Sequence, residues 1–116
     1  MIVATPVTVD GRSAGAWGRA HWVAVAQVSG PRIISWNIHE VGWDELHDSG
    51  THGSHHARVV KFLKTESIEA VVVDHVGAGM ARMLDTMGIP TLPATPGDAR
   101  ASVLAAVGAS PAEARA

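Results

Sequence analysis

Four of the chain's seven histidines, His47, His52, His55 and His56, fall within ten residues in "HDSGTHGSHHARVVKFL" (47–63). Neutral imidazole is the commonest transition-metal ligand a protein offers. Ligands three or four residues apart share one face of a helix, so His52 with His55 or His56 has the spacing to grip one ion. The positive end of a helix N-terminus disfavours imidazolium and holds such histidines in the neutral, ligating form. His75 follows the β-branched run "IEAVVVD" (68–74) and stands at the C-terminal end of that strand. A local cluster plus one distant ligand is the pattern a metal site needs, so His52, His55, His56 and His75 are the metal-ligand candidates. His47 and His39 are weaker ones, because loop and strand-end placements constrain geometry less, and His21 is weaker still. Three imidazoles with an open coordination position suit Zn, Fe, Co, Ni or Cu and can activate water. Among nearby carboxylates, Glu40 and Asp48 are candidates for a general base or for orienting a ligand. Asp74 points to the other face of its strand and is read as structural. The plain alternative is a solvated polar loop with one boundary histidine.

Two further features bear on a ligand. "HVGAGM" (75–80) places Gly77 and Gly79 where a strand turns into a helix, so backbone N–H groups there can face an anion. It has neither the third glycine of a dinucleotide fingerprint nor the Lys-Ser/Thr pair of a P-loop, and a tight turn needing small residues explains it as well. Of four tryptophans, core packing accounts for most; Trp17 and Trp43 lie in loops near the expected site and are candidates for lining a cofactor pocket.

The elements that must carry these residues follow from periodicity. "MIVATPV" reads as a strand closed by Pro6, and residues 8–19 as an aperiodic loop. "AHWVAVAQV" (20–28) and "IISWNIHEV" (33–41) form a hairpin about the turn residues "SGPR"; in the second strand Ile34, Trp36 and Ile38 alternate with polar residues. Residues 42–54 read as a long polar connection. A helix starts near Ser54, a good N-cap, with 56, 59, 60 and 63 on its apolar stripe. After the strand 68–74 come a helix ending at Gly88, a short edge strand "IPTLPA" and a final helix through "TPGDARASVLAAVG". The order β-β-β-α-β-α-β-α implies a mixed sheet with helices on its faces. Right-handed crossovers put the first strand centrally beside "AVVVD", with a ligand crevice at the strand ends.

The chain's 116 residues fit one domain, read as 1–107 with a flexible tail at 108–116. Hydrophobic residues make up 47% and charged ones 17%, which excludes a disordered chain. A formal charge of −2 with scattered Arg and Lys gives no footprint for nucleic acid. No apolar run is long enough for a membrane helix, and the N-terminus lacks a signal-peptide pattern, so the cytoplasm is the default compartment. With no cysteine, this chain cannot offer thiolates to an iron–sulfur group.

The segment "WGRAHWVAV" (17–25) resembles the "F-G-R-A-x-x-F" start of the second strand in the nitrogenase iron–molybdenum cofactor biosynthesis and carrier domain family. "HHARVVKFLKTESIEAVVVDHVGAGMARMLDTMGIPTLPAT" (55–95) is similar to that family's second half, whose last helix of the pair ends in "L-x-x-x-G-I". The resemblance implies a three-layer ribonuclease-H-like α/β fold with a five-stranded mixed sheet in the order 3-2-1-4-5. It implies handling of iron–sulfur precursors of the nitrogenase cofactor. Where relatives carry Gly, Ser or Asn before the first helix, this chain carries the histidine cluster. The function expected is therefore a domain that binds a transition metal or an iron–sulfur-type metallocofactor through that cluster and His75. The alternatives are a small metalloenzyme with a three-histidine site, or an interaction module without chemistry. The partner expected is a metal or small-molecule ligand, with homodimerisation open.

Overall fold

The computed structural model describes residues 1–46 and 52–108, with the backbone alone at 52 and 53. His47, Asp48 and the expected tail beyond Gly108 lie outside the described residues. The elements are β1 (Ile2–Val7), β2 (Trp22–Ser29), β3 (Arg32–Glu40), α1 (Trp43–Leu46), α2 (His52–Thr65), β4 (Ala70–Val73), α3 (Ala78–Thr86), β5 (Thr91–Pro93) and α4 (Ala99–Gly108). The sheet has five strands in the order β3-β2-β1-β4-β5. β1 is antiparallel to β2 and parallel to β4, so the sheet is mixed, as expected.

Alternating residues of the central strands feed two cores. Ala4, Val71 and Val73 face Val59 and Leu63 of α2 and Met80 and Leu84 of α3. Val3, Ala70 and Val72 face Val103, Ala106 and Val107 of α4. Helices therefore cover both faces, and β4, apolar at all four positions, is buried on each. Thr5 is fully buried, and its hydroxyl donates to the Val72 carbonyl at 2.8 Å, which removes the penalty of a buried polar group.

Turns and caps explain the boundaries. Ser29 pairs with Arg32 across Gly30–Pro31, with Gly30 at φ +56, where primed hairpin turns favour glycine. α3 ends in a Schellman motif: Ile89 N–H donates to Leu84 O, Gly88 N–H donates to Asp85 O, and Gly88 has φ +72. α2 ends the same way, with Ile68 N–H donating to Leu63 O and Ser67 N–H to Lys64 O. There the left-handed position is held by Ser67 at φ 56 rather than by glycine. Asp98 caps α4 by accepting from Ala101 N–H at 2.9 Å.

Several expectations need correction. Pro6 does not close β1, which runs on to Val7; parallel pairing with β4 involves only Val3 and Ala4, so Pro6 owes that side no donor. The connection after β3 holds a short helix, α1, started by Gly42 at φ 61. α2 begins at His52, two residues before Ser54. Of its expected stripe Val59 and Leu63 are buried, but His56 and Val60 are only half-buried and His55 is buried in their place. In β3 a register shift opposite Gln27/Val28 leaves Ile34 out of the ladder, and Ile33 rather than Ile34 packs on the α4-side core.

Candidate functional site

A cavity of about 270 Å³ opens at the C-terminal end of β4, lined by residues from three separate segments. Ala16–Arg19 come from the β1–β2 loop, His55 and His56 from α2, and His75, Gly77, Gly79 and Met80 from the turn into α3. The loop is held in place by backbone pairing: His75 N–H donates to Gly15 O (3.0 Å) and Trp17 N–H donates to His75 O (3.1 Å). This short parallel bridge between Ala16 and His75 extends the sheet beyond β4 and forms one wall of the cavity.

Beneath that wall, Trp17 is fully buried and packs edge-on to Trp43, with ring centroids 5.1 Å apart. Trp43 in turn packs edge-on to Phe62 at 5.5 Å. Trp17 thus lines the cavity as proposed from sequence, whereas Trp43 belongs to the core behind it. The Trp17 indole N–H is buried and finds no acceptor among the described residues.

The histidines divide into different roles. His55 is 4% exposed, and its Nε2–H donates to Gly18 O at 2.8 Å. That fixes its tautomer and leaves Nδ1 to accept from Arg58 Nη1 at 3.3 Å. With both ring nitrogens engaged, His55 holds the Gly18 turn rather than presenting a free ligand. Gly18 needs its lack of side chain: a Cβ there would lie 3.4 Å from Met80 Cε and 3.8 Å from His55 Nε2. His56 is half-buried and His75 exposed. Their imidazoles form no hydrogen bond or ion pair with the described residues, so both are available to a ligand. Gly79 lies close against His56, since a Cβ at Gly79 would stand 3.2 Å from His56 Cε1.

Electrostatically the cavity favours an anion. Among the described residues its lining carries no carboxylate, and exposed Arg19 stands at its edge. The first turn of α3 begins at Gly77 without a side-chain cap, so its N–H groups are not used by a capping residue. Arg19 went unnoticed in the sequence, although it lies within the "WGRA" segment that carries the family resemblance; its loop shows no periodicity to announce that it reaches β4.

The remaining candidates lie elsewhere. His39, on β3, packs edge-on to Phe62 and has Nε2 3.3 Å from Glu66 Oε1. Glu40 does not reach the cavity: its Oε2 accepts from His21 Nε2–H at 2.7 Å, while His21 Nδ1–H donates to Asp44 Oδ1 at 2.8 Å. The hydrogen bonds to Asp44 and then Glu40 raise the His21 pKa above the usual histidine value. His52 opens α2, its side chain outside the description. Among the described residues, no group of three or more His, Asp or Glu side chains is placed to hold one metal ion. The three-imidazole site expected from spacing is therefore not formed by the described side chains, because helix rotation turns His55 inward to Gly18.

The sequence profile of the family described as "Dinitrogenase iron-molybdenum cofactor" matches residues 1–110. The fold is similar to the crystal structure of PH0822, with a TM-score of 0.70 at 19% identity over 90% of this chain and 87% of that one. The NMR structure of the Thermotoga protein TM1290, assigned as a NifB protein of the DUF35 family, gives 0.66 at 15% identity over 88% and 83%. The crystal structure of the Methanocaldococcus jannaschii protein MJ0327, assigned as a dinitrogenase, gives 0.64 at 14% over 90% and 85%. No functionally curated protein matches the chain significantly. Among the described residues no helix is long and apolar enough to cross a membrane.

Proposed function

Because the chain belongs to the dinitrogenase iron–molybdenum cofactor family, we propose that it binds an iron–sulfur-type metallocofactor as cargo, in the cavity between the Ala16–Arg19 loop and the start of α3. The observation that carries this reading is the lining itself: His56 and His75, whose imidazoles form no hydrogen bond with the described residues, with Arg19, helix N–H groups without a side-chain cap, and no carboxylate among the described residues. Imidazole nitrogen is the iron ligand such a wall offers in a chain without cysteine. Arg19 and the α3 N-terminus complement the negative charge of a sulfide-rich cluster. The exposed position of His75 suits cargo that is taken up and passed on. Of the two bases a metalloenzyme reading would draw on, Glu40 is engaged by His21 and Asp48 lies outside the described residues.

The test is anaerobic titration of the purified protein with isolated iron–molybdenum cofactor, and in parallel with Zn²⁺ and Fe²⁺ alone, followed by absorbance and electron paramagnetic resonance. Stoichiometric cluster binding that weakens at least about tenfold in a His56→Ala/His75→Ala variant is expected, a loss of about 1.4 kcal/mol. Cluster binding untouched by that double substitution would place the cargo elsewhere. Tight binding of Zn²⁺ with none of the cluster would replace this reading with a single-ion site.

A further inference from the structure

The corner between β3 and α1 is gathered on one histidine. The His21 carbonyl accepts from Val41 N–H at 2.9 Å and from Gly42 N–H at 3.0 Å, just where α1 begins. Its imidazole meets a carboxylate at each nitrogen: Nδ1 is 2.8 Å from Asp44 Oδ1 on α1, and Nε2 is 2.7 Å from Glu40 Oε2 on β3. The Trp22 ring packs edge-on to it at 5.1 Å without charge, and among the described residues His21 has no further ion-pair partner. Only imidazolium has two N–H donors. A neutral ring has one, and its other nitrogen turns a lone pair on a carboxylate, so loss of the proton releases either Asp44 or Glu40. Both bonds are present below the ordinary histidine value of about 6.5, and they are lost as pH rises through the raised folded value.

α1 has few other anchors. Four residues are too few to sustain a helix alone, so its place depends on its side chains. One anchor is Asp44. The other is Trp43, 2% exposed, which packs edge-on to Trp17 at 5.1 Å and to Phe62 at 5.5 Å. Trp17 is fully buried and belongs to the Ala16–Arg19 segment that lines the cavity, and His21 lies just beyond that segment. His21 therefore joins the segment that walls the cavity to the helix that backs it. We infer that α1 is a pH-sensitive latch behind the cavity wall: protonated His21 clamps it through Asp44, and deprotonation frees it, loosens Trp43 from Trp17 and weakens the cavity's hold on its ligand. The regulation of binding rests on the cavity being the cargo site proposed above. His39 reaches Trp43 by a second route, packing on Phe62 with its Nε2 3.3 Å from Glu66 Oε1, and the test separates the two histidines.

Tryptophan emission of the full chain, titrated from about pH 6 to about pH 9, reads the latch without cargo. The wild type is expected to show an emission step on the alkaline side of about 6.5, absent from His21→Gln and kept in His39→Gln. Glu40→Gln should lose the step by staying latched, because its amide donates to the bare Nε2 of a neutral ring while Nδ1–H keeps Asp44. Anaerobic titration with isolated iron–molybdenum cofactor at each pH reads the consequence. His56 and His75 are common to every variant, so the ratio of wild-type to His21→Gln affinity isolates His21. That ratio should be about threefold at the acid end and fall toward one at the alkaline end, while Glu40→Gln keeps the higher affinity throughout. A wild type without an emission step overturns the latch, as does a step that survives His21→Gln or vanishes in His39→Gln. A ratio that does not change with pH overturns the regulation. If the emission step behaves as expected but the cofactor binds no variant at any pH, the latch stands and the cargo reading fails.

Discussion

Replacing Gly79 by alanine should make the protein more stable and worse at binding its cargo. Gly79 is the second residue of α3 and has no positive φ, so alanine fits its backbone. Alanine reduces the unfolded chain's freedom and improves helix propensity, together worth about 0.5–1 kcal/mol. Against this stands one contact: the new methyl carbon would lie 3.2 Å from His56 Cε1, a few tenths of an ångström inside ordinary contact. The His56 ring is half-buried and is the end of a rotatable side chain, so it gives way more readily than a backbone atom would. A ring forced well off its rotamer costs about 0.5–1.5 kcal/mol, and one that swings toward solvent costs less. Net stability should therefore rise by up to about 1 kcal/mol, which for a domain of this size moves the thermal midpoint up by as much as about 4 °C. The displaced imidazole and the added methyl both intrude on the cavity, and cluster affinity should fall at least about tenfold, or 1.4 kcal/mol. Differential scanning calorimetry and the anaerobic titration give the two halves of the answer. Repeating the substitution in a His56→Ala background should recover the full stability gain, the difference being the energy of the contact. A lower midpoint in Gly79→Ala, or an unchanged cluster affinity, would refute the reasoning.

Other substitutions probe the remaining parts. His55→Ala leaves the Gly18 carbonyl without its donor and should cost about 2–3 kcal/mol in urea unfolding, with cargo binding lost as the turn loosens. Ser67→Gly relieves a left-handed residue at the α2 terminus and should add about 0.5–1 kcal/mol, read by the same unfolding assay. Arg19→Ala should leave the thermal midpoint unchanged, since the residue is exposed, but weaken cluster binding and flatten its salt dependence. The His21 pKa is raised, so its bonds to Asp44 and Glu40 are fully present below the ordinary histidine value of about 6.5 and are lost as pH rises through the higher folded value. Amide exchange in α1 should accordingly quicken on the alkaline side of that transition and lose its pH step in His21→Ala; a step on the acid side would contradict the sign.

Much of the architecture was written in patterns a few residues long. The run of valines in β4, the Gly30–Pro31 turn and the glycine after α3 each have a local physical cause. With right-handed crossovers they put β1 beside β4 and a crevice at the strand ends, while the full strand order is what the family resemblance implies. What could not be read locally was rotation, slip and reach. On α2 the polar look of His55 hid its place on the buried stripe, because its partner is a carbonyl 37 residues away. The slip at Ile34 carries no compositional mark, since one isoleucine merely takes another's place against the core. α1, four residues long, is too short to show a helical period. Of the candidate site, His55, His56, His75, Gly77, Gly79 and Trp17 do meet at one cavity, as the crevice argument requires. Arg19 was missed and Trp43 and Glu40 misplaced, because an aperiodic loop says nothing about what it will lie against.

The bridge between Ala16 and His75 joins parts of the chain 59 residues apart, and the cavity exists only once it is made. An N-terminal hairpin folded alone would have the Ala16–Arg19 segment but nothing to lay it on. The pocket thus requires both halves of the chain to be docked together. Any molecule it holds acts as a clasp on the whole domain: at a free concentration a hundred times its dissociation constant, it would raise unfolding free energy by about 2.7 kcal/mol. An empty and a loaded chain should then differ in lifetime against proteolysis as well as in cargo.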